Sequence, residues 1–271
     1  MYDLIGHFVG LVVGVVLGLL GGGGSLLAIP MFLIFDKSAA TGSAYITMLV
    51  GISAAIGLIP RVRMKLVDWS TVIALGIPVS VGNLLTRAWL IHALPANIPV
   101  LGISKKSFVL LVIACLLLLS WATMIGVIGK NIKPKTNLKT EKPWAYYLTL
   151  TLSGLLIGIG PGLAGAGGGV LIVPLLVIFF GIQIKTVVGT TLAIVVLKSF
   201  FGSCGDLWRL GTNLEFGFLA GFAAVMIVGV IIGSAISHRV DAGKLKVVFG
   251  WFLLALAVFI VCNELIFYSN R

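Results

Sequence analysis

Two glycine-rich runs, a threonine pair and one lysine carry the residue types that could do chemistry in this chain. The runs are Gly21–Ser25 and Gly165–Gly169, and the pair Thr190-Thr191 is followed by Lys198. Consecutive glycines are poor helix formers, and a helix that is interrupted leaves backbone N–H groups without partners. Such amides, together with hydroxyls and a positive charge, can hold an oxyanion without a metal ion. The pattern therefore predicts an anion-binding site.

The candidate binding residues are small, hydroxylated or cationic. They are Gly22, Gly23, Gly24, Ser25, Ser43, Gly167, Gly168, Gly169, Thr190, Thr191 and Lys198. Lys198 is the one formal charge well inside an apolar segment, whereas no Asp or Glu sits well inside any segment. A cation or proton pump usually needs a buried carboxylate, so this inventory favours an anion. Two alternatives stay open: Lys198 could extend to an interface, and each hydroxyl alone could bond its own helix.

The elements that must hold these residues belong to a polytopic membrane protein. The chain has 271 residues, of which 59% are hydrophobic and 10% charged, and its mean hydropathy is +1.19. Soluble domains carry about 25% charged residues. This composition excludes a soluble enzyme, a nucleic-acid-binding domain and a disordered protein. The net charge of +11 arises in the loops between apolar runs, as expected for a membrane protein with cytoplasmic basic loops and no nucleic-acid partner.

Eight apolar segments follow one another along the chain, and a spanning helix needs about 20 residues. The first and fifth segments are too long for one simple crossing. The only long polar stretch, residues 130–143, divides the chain into two halves. We therefore expect one integral membrane domain made of a first repeat at 1–129, a basic cytoplasmic loop at 130–143 and a second repeat at 144–271.

Landmarks of the first half recur in the second. At an offset of 144 residues, Gly10, Gly14, Gly18 and Pro30 match Gly154, Gly158, Gly162 and Pro174. At an offset of 147, Gly42-Ser43 matches Gly189-Thr190 and Asp68-Trp69 matches Glu215-Phe216. The pattern predicts two homologous four-segment repeats with segments one and five broken at the glycine runs, a common origin of transporter sites. Kinked helices that serve packing alone are the alternative, and the four-residue glycine spacing of segment one is typical of close helix packing.

The distribution of Lys and Arg favours inverted repeats. If all eight segments cross fully, the two sides carry 10 and 8 of these residues, whereas broken first and fifth segments change the division to 12 and 6. Cytoplasmic loops are enriched in Lys and Arg, so the second arrangement is preferred. Each half then crosses the membrane an odd number of times, and both termini face outward.

The glycine runs that end in an apolar stretch and Pro, Gly21–Pro30 and Gly165–Pro174, resemble the sulfite exporter TauE/SafE family. The element Gly189-Thr190-Thr191 and its partner Gly42-Ser43 share this resemblance, which covers nearly the whole chain. It implies a multi-pass permease of a bacterial or archaeal inner membrane that moves sulfite or small organosulfur anions, with export as the expected direction. The expected partners are the anionic substrate and the bilayer, and a homodimer is compatible with the sequence.

Other functional classes leave different signatures. A passive anion channel would share every feature above, and only flux kinetics would separate it from a secondary transporter. A non-transporting assembly factor would not need glycine breaks at matching depths or a buried lysine. A membrane enzyme is not expected, because the sequence has no HExxH motif, no paired intramembrane carboxylates and no Ser/His/Asp set. The three cysteines have no metal-binding spacing, and no cofactor is expected.

Overall fold

The computed structural model describes residues 2–21, 39–86, 97–98, 103–125, 144–163, 169–210 and 216–269. Within these ranges the chain is almost entirely helical. The helices are α1 (Tyr2–Leu20), α2 (Ala39–Arg63), α3 (Trp69–Leu85), α4 (Lys105–Met124), α5 (Trp144–Leu163), α6 (Gly169–Pro174), α7 (Ile184–Leu210), α8 (Phe216–Arg239) and α9 (Ala242–Ser269). The π-helical turn Leu175–Phe179 extends α6, and the two-residue strands β1 (Asn97–Ile98) and β2 (Ile103–Ser104) pair antiparallel before α4.

Four of the described helices are long and apolar enough to cross a bilayer. The candidate spans are Ala44–Arg63 in α2, Ile184–Cys204 in α7, Leu219–Arg239 in α8 and Ala242–Cys262 in α9. Three shorter apolar helical stretches lie in α1, α3 and α5, at Gly6–Leu20, Trp69–Leu85 and Trp144–Ile159. The predicted all-α polytopic membrane class is confirmed by these helices.

The bundle is apolar on the outside and polar in places within. Phe179 and Leu156 expose 77% and 71% of their surface, and Phe8, Phe200 and Ile73 also point outward. In water such a surface would aggregate, whereas in a bilayer it contacts acyl chains at no cost. Among the described side chains, several hydroxyls and the cations of Arg61 and Lys198 lie buried between the helices. This distribution is the one a membrane protein needs.

The helices pack in four principal pairs that join the first half of the chain to the second. Helix α1 packs on α8, α3 on α5, α2 on α7 and α4 on α9. Helix α7 also packs on α3, and α2 also packs on α8. The middle of α7 contacts α2 at Ser199 and α3 at Leu197, and this span is the most buried of the four, so it lies at the centre of the described bundle.

Glycines let two of these pairs approach backbone to backbone. A methyl group on Gly158 of α5 would lie 2.5 Å from the carbonyl oxygen of Val79 in α3, and one on Gly82 would lie 2.8 Å from that of Leu155. A methyl group on Gly14 of α1 would overlap the backbone of α8 in the same way. No side chain larger than hydrogen fits at these contacts, which explains the glycine spacing seen in the sequence.

The direction of the helices follows from the order of their contacts. Gly57 of α2 lies against Leu192 of α7, whereas Gly51 lies against Ser199, so these two helices run antiparallel. Helix α5 and the π-helical turn also run in opposite directions, because the ring of Phe180 after the turn packs edge-on against Tyr146 at the start of α5, with centroids 5.1 Å apart. The chain therefore doubles back between α5 and α7.

Helix α1 ends at the start of the first predicted interruption. Helix α1 ends at Leu20, and Gly21 follows with a φ of +79°, a conformation that glycine adopts without strain. A methyl group on Gly21 would also lie 2.9 Å from the carbonyl oxygen of Val188, so α1 ends directly against α7. Residues 22–25 of this break, and residues 165–168 of the second, lie outside the described residues.

Candidate functional site

Three of the predicted site residues lie on α7, the central helix. Thr190 and Thr191 are fully buried near its first turns, and Lys198 is 5% exposed near its middle. Lys198 lies seven positions beyond Thr191, which is about 10 Å along a helix. The structure therefore holds both parts of the predicted site inside the bundle at two separate depths.

Both threonine hydroxyls have structural partners. The Thr190 hydroxyl oxygen accepts a hydrogen bond of 3.0 Å from the backbone N–H of Asp68, and the Thr191 hydroxyl donates one of 2.7 Å to the Val187 carbonyl. The second bond is the common one of a helical threonine with its own helix. The first is a contact between the two halves of the chain that sequence reasoning did not foresee.

The remaining predicted site residues are described in part. Gly169 is buried at the first position of α6, and Ser43 lies in the first turns of α2, where only the backbone is described. The other predicted residues lie outside the described residues: Gly22, Gly23, Gly24, Ser25, Gly167 and Gly168. Their role in the site stays a prediction.

The turn between α2 and α3 is shaped by a helix end and a helix cap. The N–H of Leu66 donates to the Arg61 carbonyl at 3.0 Å and that of Lys65 to the Val62 carbonyl at 3.0 Å. This pair of bonds, with Lys65 at a φ of +56°, is a Schellman motif. Asp68 then caps α3, and its carboxylate accepts from the Thr71 hydroxyl at 2.9 Å. Asp68, the acidic residue of the predicted sequence repeat, is thus the N-cap of α3.

The turn between α2 and α3 also packs against α7. A methyl group on Gly189 would overlap the carbonyl oxygen of Leu66 and would lie 3.4 Å from the Cβ of Arg61. Together with the bond from Asp68 to Thr190, this contact ties the α2–α3 turn to the first turns of α7. The predicted Gly-Thr element therefore joins the two halves.

Arg61 is the buried residue that sequence reasoning missed. Its side chain is 0% exposed, and its Nη2 donates to the Gly18 carbonyl at the end of α1 over 3.3 Å. In the sequence, Arg61 and Arg63 both follow Pro60 at the end of an apolar segment, where a loop charge is expected. Nothing in that pattern distinguishes the buried arginine from its exposed neighbour.

The basic loops around Arg61 gather at one end of the bundle. The Lys185 ammonium lies 3.5 Å from the His238 carbonyl, which links the start of α7 to the end of α8. A methyl group on Gly18, which accepts from Arg61, would lie 2.8 Å from the Ser234 backbone nitrogen on α8. We call this region, defined by Arg61, Lys185 and His238, the basic end.

The chemistry available in this interior suits anions. Lys198 and Arg61 are buried cations, and no Asp or Glu is buried among the residues whose side chains are described. Within the described part of the chain, no group of three or more His, Cys, Asp or Glu residues could hold a metal ion. The three cysteines are exposed on the apolar exterior and have no part in this interior.

The model of the sulfite exporter TauE/SafE family matches residues 7–260. The chain belongs to this family. The TauE/SafE protein is therefore a multi-pass membrane transporter of the sulfite-exporter type, as its resemblance predicted. No curated protein and no solved structure matches the chain.

Proposed function

We propose that this TauE/SafE protein is a secondary transporter that exports small sulfur oxyanions, such as sulfite or organosulfonates, across the inner membrane. The observation that carries the proposal is the burial of Lys198 in the middle of α7, the central helix of the bundle. A lysine at the centre of a spanning helix costs about 2.5–3.5 kcal/mol on insertion scales. Ionisable residues inside spanning helices therefore mark substrate paths, and a positive one favours anions as the substrate.

The two halves form structural repeats in this proposal. Gly14 contacts Met226, and Gly229 contacts Leu11. When 144 is added to the first-half residue number and 147 is subtracted from the second-half number of each pair, the resulting pairs are also in contact, which supports the repeat. Those contacts join Gly158 to Val79 and Gly82 to Leu155. The same offsets also relate two of the principal helix pairs, because they map the pair of α1 with α8 onto the pair of α5 with α3.

The repeats are inverted in this proposal. Helices α2 and α7 are the second segments of the two halves, and their antiparallel packing supports an inversion. The shared basic end, where the loops after α2 and α8 meet the start of α7, also agrees with it. This end faces the cytoplasm together with the 130–143 loop, because Lys and Arg are enriched there.

The oxyanion binds between the glycine breaks of the two halves. Backbone amides around Gly22–Ser25 and Gly167–Gly169 donate to its oxygens, and Lys198 attracts it from α7. Ser43, Thr190 and Thr191 belong to the surrounding polar shell. The end of α1 at Gly21 lies against Val188 of α7, which supports placing the first break beside this helix, between Lys198 and the basic end.

Flux of labelled sulfite in proteoliposomes tests the proposal. We expect protein-dependent flux that saturates with sulfite concentration and responds to an imposed pH or charge gradient. Flux that rises linearly with concentration would instead favour a passive anion channel. Absence of any protein-dependent flux of sulfite or an organosulfonate would contradict the proposed function.

A further inference from the structure

Arg61 has unused hydrogen-bonding capacity deep in the protein. Its Nη2 donates to the Gly18 carbonyl, but its Nε and Nη1 have no hydrogen-bond partner in the described part of the chain. Nε carries one N–H and Nη1 carries two. A buried guanidinium with three unused N–H bonds is costly, because buried charges are normally paired and fully hydrogen-bonded. The bond to Gly18 caps the end of α1 and does not account for the rest.

Helix α8 presents further unpartnered polar atoms at the same level. Ser234 and Ser237 are buried, and the hydroxyls of both, like Nε2 of His238, have no hydrogen-bond partner in the described part of the chain. Positions three and four apart lie on one face of a helix, so these three side chains share a face. Gly18 connects them to Arg61, since it accepts from the guanidinium and packs against the Ser234 backbone.

The electrostatics of this pocket favour an anion. Two cations lie at this end, because the buried Arg61 is joined there by Lys185, whose ammonium lies 3.5 Å from the His238 carbonyl. No buried carboxylate among the described side chains offsets them. An oxyanion supplies both the negative charge and the several acceptor oxygens that the unpartnered N–H and O–H groups lack. A water molecule would supply acceptors but no charge.

We propose that Arg61, Ser234, Ser237 and His238 form a second oxyanion site at the basic end, separate from the central site at Lys198. Arg61 lies beside Gly189 and therefore near the first turns of α7, whereas Lys198 lies more than two helical turns further along. The second site receives the transported anion at the cytoplasmic end of its path. It rests on the proposed function in taking sulfite as the ligand.

Equilibrium binding of radiolabelled sulfite to the purified full chain in lipid nanodiscs tests this site. We expect two sulfite ions per parent protein, one for Arg61→Gln and one for Lys198→Met. Arg63→Gln, which alters the exposed neighbouring arginine, is the matched control and should bind two. If Arg61→Gln binds as much sulfite as the parent, the second site is refuted and the proposed function stands. If Lys198→Met binds as much sulfite as the parent while Arg61→Gln binds one sulfite ion fewer, only the central site is refuted.

Thermal unfolding separates binding from a structural role of Arg61. In sulfite-free buffer Arg61→Gln should melt at or above the temperature of the parent, since the substitution removes a buried charge with unused N–H groups. Its rise in melting temperature on adding sulfite should be smaller than that of the parent. A lower melting temperature with unchanged sulfite binding would make Arg61 only a cap of α1 and would overturn the proposal.

A milder variant keeps the test open if Arg61→Gln fails to fold. Ser237→Ala removes one unpartnered buried hydroxyl, and loss of one hydrogen bond to a charged ligand should weaken one of the two sulfite sites by about tenfold. Ser80→Ala is the control, because the Ser80 hydroxyl is buried but donates to the Gly76 carbonyl of its own helix at 2.8 Å. Equal sulfite affinities in these two variants would overturn the second site.

Discussion

At the scale of single residues, the described interior contains two buried cations, Lys198 and Arg61, which stand in different sequence surroundings. Lys198 could be predicted from the sequence, because it is the only charge inside an otherwise apolar segment. Arg61 could not, because a helix end in the membrane and a loop carry the same residue types. The burial of Arg61 follows from three-dimensional packing, in which its Nη2 donates to the Gly18 carbonyl of α1 and its Cβ lies beside Gly189 of α7. The sequence thus indicated that Lys198 is buried, whereas its role in a binding site stays a prediction, and it did not indicate that Arg61 is buried.

Replacement of Lys198 tests the central site. Lys198→Ala should lower sulfite flux at low substrate concentration by tenfold or more, because the buried positive charge that attracts the anion is lost. Lys198→Arg should retain part of the flux, since the charge survives in a larger group. Initial rates in proteoliposomes containing equal amounts of protein measure both effects. Sulfite flux of Lys198→Ala equal to that of the parent would show that Lys198 has no role in substrate attraction.

Replacement of Thr190 tests the contact between the halves. Thr190→Val keeps the side-chain shape but leaves the Asp68 N–H without its acceptor, which should lower the free energy of unfolding by about 1–3 kcal/mol. Thr191→Val is the matched control, because the Thr191 hydroxyl bonds only its own helix. Chemical unfolding in detergent measures the difference. Equal losses of stability in the two variants would contradict a structural role of the Thr190 bond.

At the scale of elements, hydrophobic length and glycine spacing predicted most of what is described. The apolar segments became helices, and the four-residue glycine pattern became the contact faces of α1 and α5. The acidic landmark Asp68 became a helix cap, which its position before an apolar run could have indicated. The left-handed turn at Lys65 could not be predicted, because lysine carries no preference for that conformation and tertiary packing imposes it.

Substitution of Gly158 tests the close packing of α3 and α5. Gly158→Leu should lower the unfolding temperature markedly, because the new side chain meets the Val79 carbonyl and the Gly82 backbone, which cannot move aside. Gly243→Ala in α9 is the control, since nothing lies within 4 Å of a methyl group there and alanine favours the helix. A Gly158→Leu protein as stable as Gly243→Ala would show that the two helices do not approach as closely as described.

At the scale of the whole molecule, helices of the first half of the chain pack on helices of the second half. Helices α2 and α7 meet antiparallel at the centre, and the outer pairs α1 with α8 and α3 with α5 flank them. The repeated landmarks predicted two related halves, and the count of basic residues predicted their inversion. The sequence repeats and the charge count could not indicate which helices pack together, because glycine spacing predicts the contact face of one helix but not the helix that packs against it.

Cysteine labelling tests the proposed orientation. In a variant with Cys115, Cys204 and Cys262 replaced by serine, a cysteine at Lys135 or Lys65 should react with a membrane-impermeant maleimide only after the cells are permeabilised. A cysteine at Asn97, on the loop between α3 and α4, should react in intact cells. Labelling of Lys135→Cys in intact cells would reverse the orientation and contradict a cytoplasmic basic end.

Sulfite counterflow tests most directly the claim that this TauE/SafE protein is a carrier with its site between two inverted halves. Vesicles containing the protein are loaded with unlabelled sulfite, diluted into a trace of labelled sulfite, and followed over time. A carrier whose site faces one side at a time should accumulate label transiently above its external concentration, and Lys198→Ala should lose this overshoot. Label that only equilibrates, at a rate independent of the internal sulfite, would contradict the account.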